Sequence, residues 1–303
     1  MKCHEVVKHH EVVYAPLSTS WAPIDNLLKV NMDAQWKQEN IPVNNSYLHY
    51  YRTRRGGKEP IILVHGFSDN GLCWTPVARE LEKKYDVIMP DMKSHGLSAR
   101  IGEREPIDMA SDLVKLIQSL GLSRPIIVGH SMGAMIAFQV GIQYPNLAKA
   151  IILEDPPWLI SKQGKDNKSE ETMMEWARKL PSQSIEELET INRRDHPTWT
   201  DEMIHLMREA KKQFDPTFAD MLLRSLNRDR SEWLSNIGTI CFPLLIITGN
   251  PELGGIVTGE VAARIHKLNP KIQIKNVPDV GHLIRFDKFN EFMSILLNFL
   301  ENL

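Results

Sequence analysis

Cysteine is scarce in this chain: three in 303 residues, Cys3, Cys73 and Cys241, with no C-x-x-C pair among them. That excludes a disulfide-stapled scaffold and a thiolate zinc site, and it suits a reducing compartment. Long apolar runs are missing as well. None approaches the roughly 20 residues a membrane span requires, so no membrane partner is expected. The stretch Met1-Lys2-Cys3-His4-Glu5 has no apolar signal core, so the expected location is cytoplasmic. Charge of one sign is lacking too. A formal net charge of −2 gives no electrostatic reason to expect nucleic acid or an anionic surface as partner. Charged residues at 24% and hydrophobic residues at 42% are ordinary for a globular protein. The length allows one large α/β domain, or one domain carrying an insertion.

Residues 1–40 show no periodicity and read as an irregular N-terminal extension, with Trp21 and Trp36 as possible anchors. It would act as a packing arm, or as a segment used in dimerisation or to cover a site. From Ile41 the pattern becomes regular. Ile41–Val43 and Tyr47–Tyr51 flank an Asn44-Asn45 turn and predict an antiparallel pair. Apolar strand runs follow at Ile61–Val64, Val87–Met89, Ile126–Val128 and Ala150–Leu153, then at Leu244–Ile247 and Ile272–Val277. Helical spacing separates them, as in Met109, Leu113, Leu116, Ile117 and Leu120, with Gly121 as the stop. Such alternation predicts a mostly parallel sheet with helices on both faces. Residues 158–236 interrupt it. They contain no strand pattern, and helices are predicted near 169–180, 184–192, 200–214 and 216–227. Four of the seven tryptophans fall in this stretch, which reads as a helical cap inserted into the core of 41–157 and 237–303.

The densest signal is Gly129-His130-Ser131-Met132-Gly133, between a strand run and a helical run. Here G-x-S-x-G stands in the strand–turn–helix context of a nucleophile elbow. Small residues on either side of the serine let the turn close tightly and leave its hydroxyl exposed. A serine hydroxyl needs a base to attack at neutral pH, and imidazole titrates in the right range. His282 ends the last predicted strand–loop segment, on the side of the sheet where open α/β proteins place their sites.

Together with His65-Gly66-Phe67, the loop Asp91-Met92-Lys93-Ser94-His95-Gly96-Leu97-Ser98 and Gly281-His282, the elbow makes residues 40–303 resemble the α/β-hydrolase superfamily. Ser94 departs from the pattern, standing where that loop usually has its first glycine. The resemblance implies an eight-stranded, mostly parallel sheet with an inserted helical cap. It also implies Ser131 as nucleophile, His282 as base, and the N–H groups of Phe67 and Met132 as oxyanion donors. No metal and no organic cofactor are implied. His65, His130 and His95 are expected to hold loops, and Cys73 to pack. Ser68 and Asp69, beside the oxyanion loop, are read first as surface loop polarity and second as residues that tune the pocket.

Two carboxylates compete for the third position of the triad. Asp155, at the end of a strand and 24 residues after Ser131, matches some superfamily members, such as zearalenone-type lactonases and certain dehalogenases. Glu252 stands in Thr248-Gly249-Asn250-Pro251-Glu252-Leu253, where the usual arrangement has its acid. Asp155 is the first choice and Glu252 the second; Glu154 should point to the other side of its strand. The cap's aromatics and methionines predict an apolar small-molecule substrate, contacted by Met132, Trp158 and Trp176. A serine at the elbow, in place of the aspartate of dehalogenases and epoxide hydrolases, predicts acyl chemistry. The expected activity is that of a carboxylesterase or lactonase, as monomer or homodimer. A hydrolase of C–C bonds in β-diketones or dienones, a perhydrolase, and a non-catalytic small-molecule binder are the alternatives.

Overall fold

The computed structural model describes residues 36–53, 57–102, 105–158, 167–225 and 232–303. The expectations about residues 1–35, including the Trp21 anchor, lie outside the described residues. Eight strands form one sheet. They are β1 (Lys37–Val43), β2 (Ser46–Arg52), β3 (Glu59–Val64), β4 (Tyr85–Pro90), β5 (Ile126–His130), β6 (Ala150–Glu154), β7 (Leu244–Thr248) and β8 (Gln273–Asn276). Their spatial order is β1-β2-β4-β3-β5-β6-β7-β8. β1 and β2 pair antiparallel, β2 meets β4 antiparallel, and every other neighbour is parallel. The first strand starts at Lys37, earlier than the boundary at 40 expected from the sequence. Lys37-Gln38-Glu39-Asn40 has no apolar alternation, but an edge strand paired on one side tolerates polar residues.

The central strands are buried on both faces, and successive side chains feed opposite layers. Ile61 and Leu63 join Ile126 and Val128 in one core, while Ile62 and Val64 join Ile127 in the other. The first layer is closed by α1 (Thr75–Leu81) and, near the C-terminus, by a helix over Phe289–Glu301. The second is closed by α2 (Met109–Ser119), α3 (Met132–Gln143) and a helix over Gly259–Leu268.

Between β6 and β7 the described residues contain helices only: α4 (Asn167–Lys179), α5 (Ile185–Asp195), α6 (Asp201–Lys212), α7 (Pro216–Ser225) and α8 (Glu232–Ile237). The helix over 259–268 is α9; α10 (Ile284–Asp287) and α11 (289–301) complete the chain. α8, unforeseen in the sequence, is too short for a helical period to emerge. Among the described residues this insertion has no separate core. Met174, Leu188, Phe214, Phe218, Met221 and Trp233 belong to the same apolar cluster as Val64 and Ile127 of the sheet. α6 packs differently: Ile204, Met207 and Ala210 meet Cys73, Trp199 and Phe286. Among the described residues no helix is long and apolar enough to cross a membrane.

Candidate active site

Ser131 sits between β5 and α3 with φ 50° and ψ −113°, a conformation an L-residue adopts only under strain. The two glycines explain how. A Cβ on Gly133 would collide with the backbone carbonyl of Val64, and one on Gly129 with the carbonyl of Gly133. Both positions must therefore be glycine for the turn to close against β3. That approach brings the turn against the carbonyls of Val64 and His65, at the end of β3 and shortly before Phe67. A serine before a helix usually caps it, but Ser131 makes no side-chain cap bond. Its hydroxyl is not committed to the helix.

His282 precedes α10, and its Nδ1 stands 2.6 Å from Asp155 Oδ2. Asp155 is fully buried and also takes a positive φ, of 41°. Its carboxylate accepts two backbone N–H groups, from Ile256 (2.9 Å) and Val257 (3.2 Å). These donors belong to the loop after β7, where the usual acid would sit. That loop touches the His282 loop backbone to backbone: a Cβ on Gly249 would run into the carbonyl of Gly281. Glu252, the competing acid, stands exposed on a short 3-10 turn over Pro251–Leu253, and its backbone N–H donates to Asn250 Oδ1. The structure brings Asp155 to the imidazole and leaves Glu252 at the surface. Glu154 points to the other side of its strand, as its register requires, and meets the Arg285 guanidinium at 3.0 Å.

The flanking histidines hold backbone. His65 Nε2 accepts the Met92 N–H at 2.9 Å, so its Nδ1 carries the proton and donates to Gly66 O at 2.8 Å. Burial brings the His65 pKa down to about 4, which keeps the ring neutral. His130 is buried with its Nε2 3.1 Å from His282 O, and its ring centre lies 4.6 Å from that of His282, the planes tilted by 42°. Burial, helped by the Arg285 charge, holds its pKa well below the usual range. The neutral ring therefore donates from Nε2 to the carbonyl of His282. His95 packs among Phe67, Phe214 and Phe218. The Cys73 thiol is buried against Met207, and burial pushes its pKa up to about 12, consistent with packing.

Ser68 and Asp69 correct the expectation of surface polarity, for both are buried. Asp69 Oδ1 accepts from Lys211 of α6 at 3.0 Å, and Arg285 lies 3.4 Å from its Oδ2. Burial opposes the Asp69 charge, but the two cations outweigh it and hold the carboxyl far below the ordinary carboxylate range. Lys211, Arg285, Ile256 and Val257 are the residues sequence reasoning missed. The last two act through backbone atoms, which carry no sequence signature. Lys211 stands in a predicted helix and Arg285 just after the His282 loop, and at both places a solvated charge is the ordinary expectation.

The expected substrate contacts separate. Trp158 is fully buried, stacked on Trp233 at 4.6 Å, with its indole N–H on Met135 Sδ at 3.3 Å. It is packing between sheet and insertion, and the expectation of a cleft contact is corrected. Trp176 of α4 is 42% exposed, with Lys211 Nζ 5.8 Å from its ring centre. Met132 is half-buried beside Ser131. Among the described residues no group of three or more His, Cys, Asp or Glu could hold a metal ion.

A family model described as the α/β-hydrolase fold matches residues 59–289. N-formylmaleamate deformylase of Pseudomonas putida is 26% identical over 268 residues, covering 87% of this chain and 96% of its own. The 2-(acetamidomethylene)succinate hydrolase of Mesorhizobium japonicum is 24% identical, covering 82% and 90%. Among solved structures, a thermophilic esterase from Thermogutta terrifontis superposes with a TM-score of 0.67 at 22% identity, covering 88% and 98%.

Proposed function

The chain belongs to the α/β-hydrolase fold family and its relatives are hydrolases; from that premise we propose a serine-dependent acyl hydrolase acting through an acyl-enzyme on Ser131. The observation that carries the reading is the 2.6 Å contact between His282 Nδ1 and Asp155 Oδ2, one residue past Glu154, whose carbonyl accepts the N–H of the strained Ser131 at 2.9 Å. Ser131 Oγ attacks the substrate carbonyl while His282 Nε2 takes its proton. The Asp155 carboxylate holds the Nδ1 proton and stabilises the imidazolium that forms. The backbone N–H groups of Phe67 and Met132 receive the oxyanion; such a donor is worth about 10²–10³ in rate. Collapse expels the leaving group, which His282 protonates. A water deprotonated by the same imidazole then releases the acid and restores Ser131.

The substrate in this reading is an ester or lactone of mainly apolar character, with Trp176 and Met132 beside it. A second reading, cleavage of an amide C–N bond, is favoured by the deformylase among the relatives. A fluorophosphonate probe should label Ser131 stoichiometrically; a folded but unlabelled protein would leave only a non-catalytic binder. A panel of p-nitrophenyl esters, γ- and δ-lactones, an N-formyl enamide and a β-diketone then separates the bond types. Turnover confined to the amide replaces the ester reading with the second one. Turnover confined to the diketone replaces both with C–C hydrolysis.

A further inference from the structure

Behind the candidate triad, opposite charges alternate in a buried row, each fixed to a different segment. Lys211, near the end of α6, is only 8% exposed, yet its ammonium reaches three acceptors on the loop after β3. They are Ser68 O at 3.3 Å, Ser68 Oγ at 2.8 Å and Asp69 Oδ1 at 3.0 Å. Asp69 Oδ2 faces Arg285 at 3.4 Å and lies 3.9 Å from His130 Nδ1. Arg285, three residues after His282, lies 4.3 Å from the Trp74 ring and gives both its backbone N–H and its guanidinium to Glu154. Glu154 adjoins Asp155. The row Lys211–Asp69–Arg285–Glu154 thus ties the insertion to the oxyanion loop, the His282 loop and the end of β6. Asp69 also approaches the residue before Ser131.

Two features make Lys211 the decisive member. The loop it grips is strained, with Ser68 at φ 61°, and Ser68 is bonded directly to Phe67, whose N–H is the candidate oxyanion donor. A buried ion pair moreover gains little stability over apolar side chains of the same size, so burial of this lysine is better accounted for by geometry than by stability.

We propose that Lys211 is a positioning residue through which the helical insertion sets the oxyanion loop. Its ammonium fixes the Ser68–Asp69 peptide, and with it the direction of the Phe67 N–H. It touches no reacting atom itself. The inference rests on the Ser131 reading above, so the test reports on both.

Phosphonylation by a fluorophosphonate, in which Ser131 Oγ displaces fluoride from phosphorus, is followed to saturation to separate kinact from KI. Thermal midpoints are recorded alongside. The unmutated protein should label at Ser131. Lys211→Met should lower kinact about 10–100-fold, in line with loss or misdirection of one oxyanion donor, with KI within about threefold. Lys211→Arg, which keeps charge and donors, should restore kinact to within about fivefold. The double variant Asp69→Asn/Lys211→Met strands no buried charge, so its thermal midpoint should recover while its kinact stays low. It also carries the test if Lys211→Met fails to fold. A kinact within twofold of the unmutated protein in Lys211→Met overturns the proposal. So does a double variant in which kinact recovers together with stability. An unmutated protein that does not label overturns the serine reading and this inference with it.

Discussion

Asp155 shows how a single carboxylate is selected by its surroundings. Its two backbone donors, from Ile256 and Val257, stabilise the charged form in a fully buried place where an unpaired carboxylate would be costly. Asp155→Asn should therefore cut kcat by about 10⁴ with the fold intact, as removal of a triad acid does elsewhere. Glu252→Gln should stay within about twofold; both are read from kcat on whichever substrate the panel identifies. Asp69 illustrates a different consequence of pairing. Because its folded pKa is depressed, its stabilisation is present above the ordinary carboxylate pKa of about 3.9 and is lost as pH falls below that value. Thermal midpoints of the unmutated protein should fall steeply below about pH 4. Asp69→Asn should be less stable at pH 7 and flatter in that acid window. An equally steep acid decline in the variant would remove Asp69 as its source. Ser131, His282 and the pair of competing acids were legible as residue types in motif context. The spacing from Ser131 put Asp155 first but left Glu252 open, because the choice depends on which loop supplies N–H groups, and any residue but proline can supply one.

At the level of elements, the strands and most helices were legible because their burial is periodic. Ile61 to Val64 alternate between two cores, and a run buried on both sides reads as wholly apolar. The polar half of β1 and the six-residue α8 were not, the first because an edge strand needs no apolar period, the second for want of length. Contacts between elements escaped as well. Ser94 stands where the family pattern has glycine, at φ 64°, and its hydroxyl takes part in two bonds. It donates to Asp215, just before α7, at 3.1 Å and accepts from the Ile101 N–H at 3.0 Å. The hydroxyl offsets the left-handed strain by joining this loop to the insertion. Ser94→Ala keeps the strain and removes both bonds, so it should cost about 1–3 kcal/mol. Ser94→Gly should cost less, since it relieves the backbone. Chemical denaturation of the two variants checks the order.

The whole molecule is held by a sheet with two apolar layers, one of which continues without a break into the insertion. A cap sharing its core with the sheet should not unfold separately. Trp158, fully buried between Phe138 and Trp233, lies on that shared boundary. Trp158→Ala should lower the stability of the entire protein by about 3–5 kcal/mol and retain a single transition in calorimetry. Two separated transitions would show that sheet and insertion are independent. Composition marked the insertion as rich in tryptophan and methionine, but it could not divide the tryptophans between packing and cleft. Trp158 and Trp176 belong to the same residue type, and only the path of the chain buries one and leaves the other 42% exposed.

The loop after β7 serves Asp155 through main-chain atoms alone, and this bears on how freely its sequence can drift. Side chains at 250–254 carry no charge that the buried carboxylate requires, whereas the amides at 256 and 257 do the holding. In a saturation library selected for activity, Glu252 should accept nearly every amino acid. Ile256 and Val257 should accept many apolar replacements but reject proline, which has no amide hydrogen to give. The carboxylate of Asp155, just past β6, is thereby insulated from the mutational history of the loop that supports it.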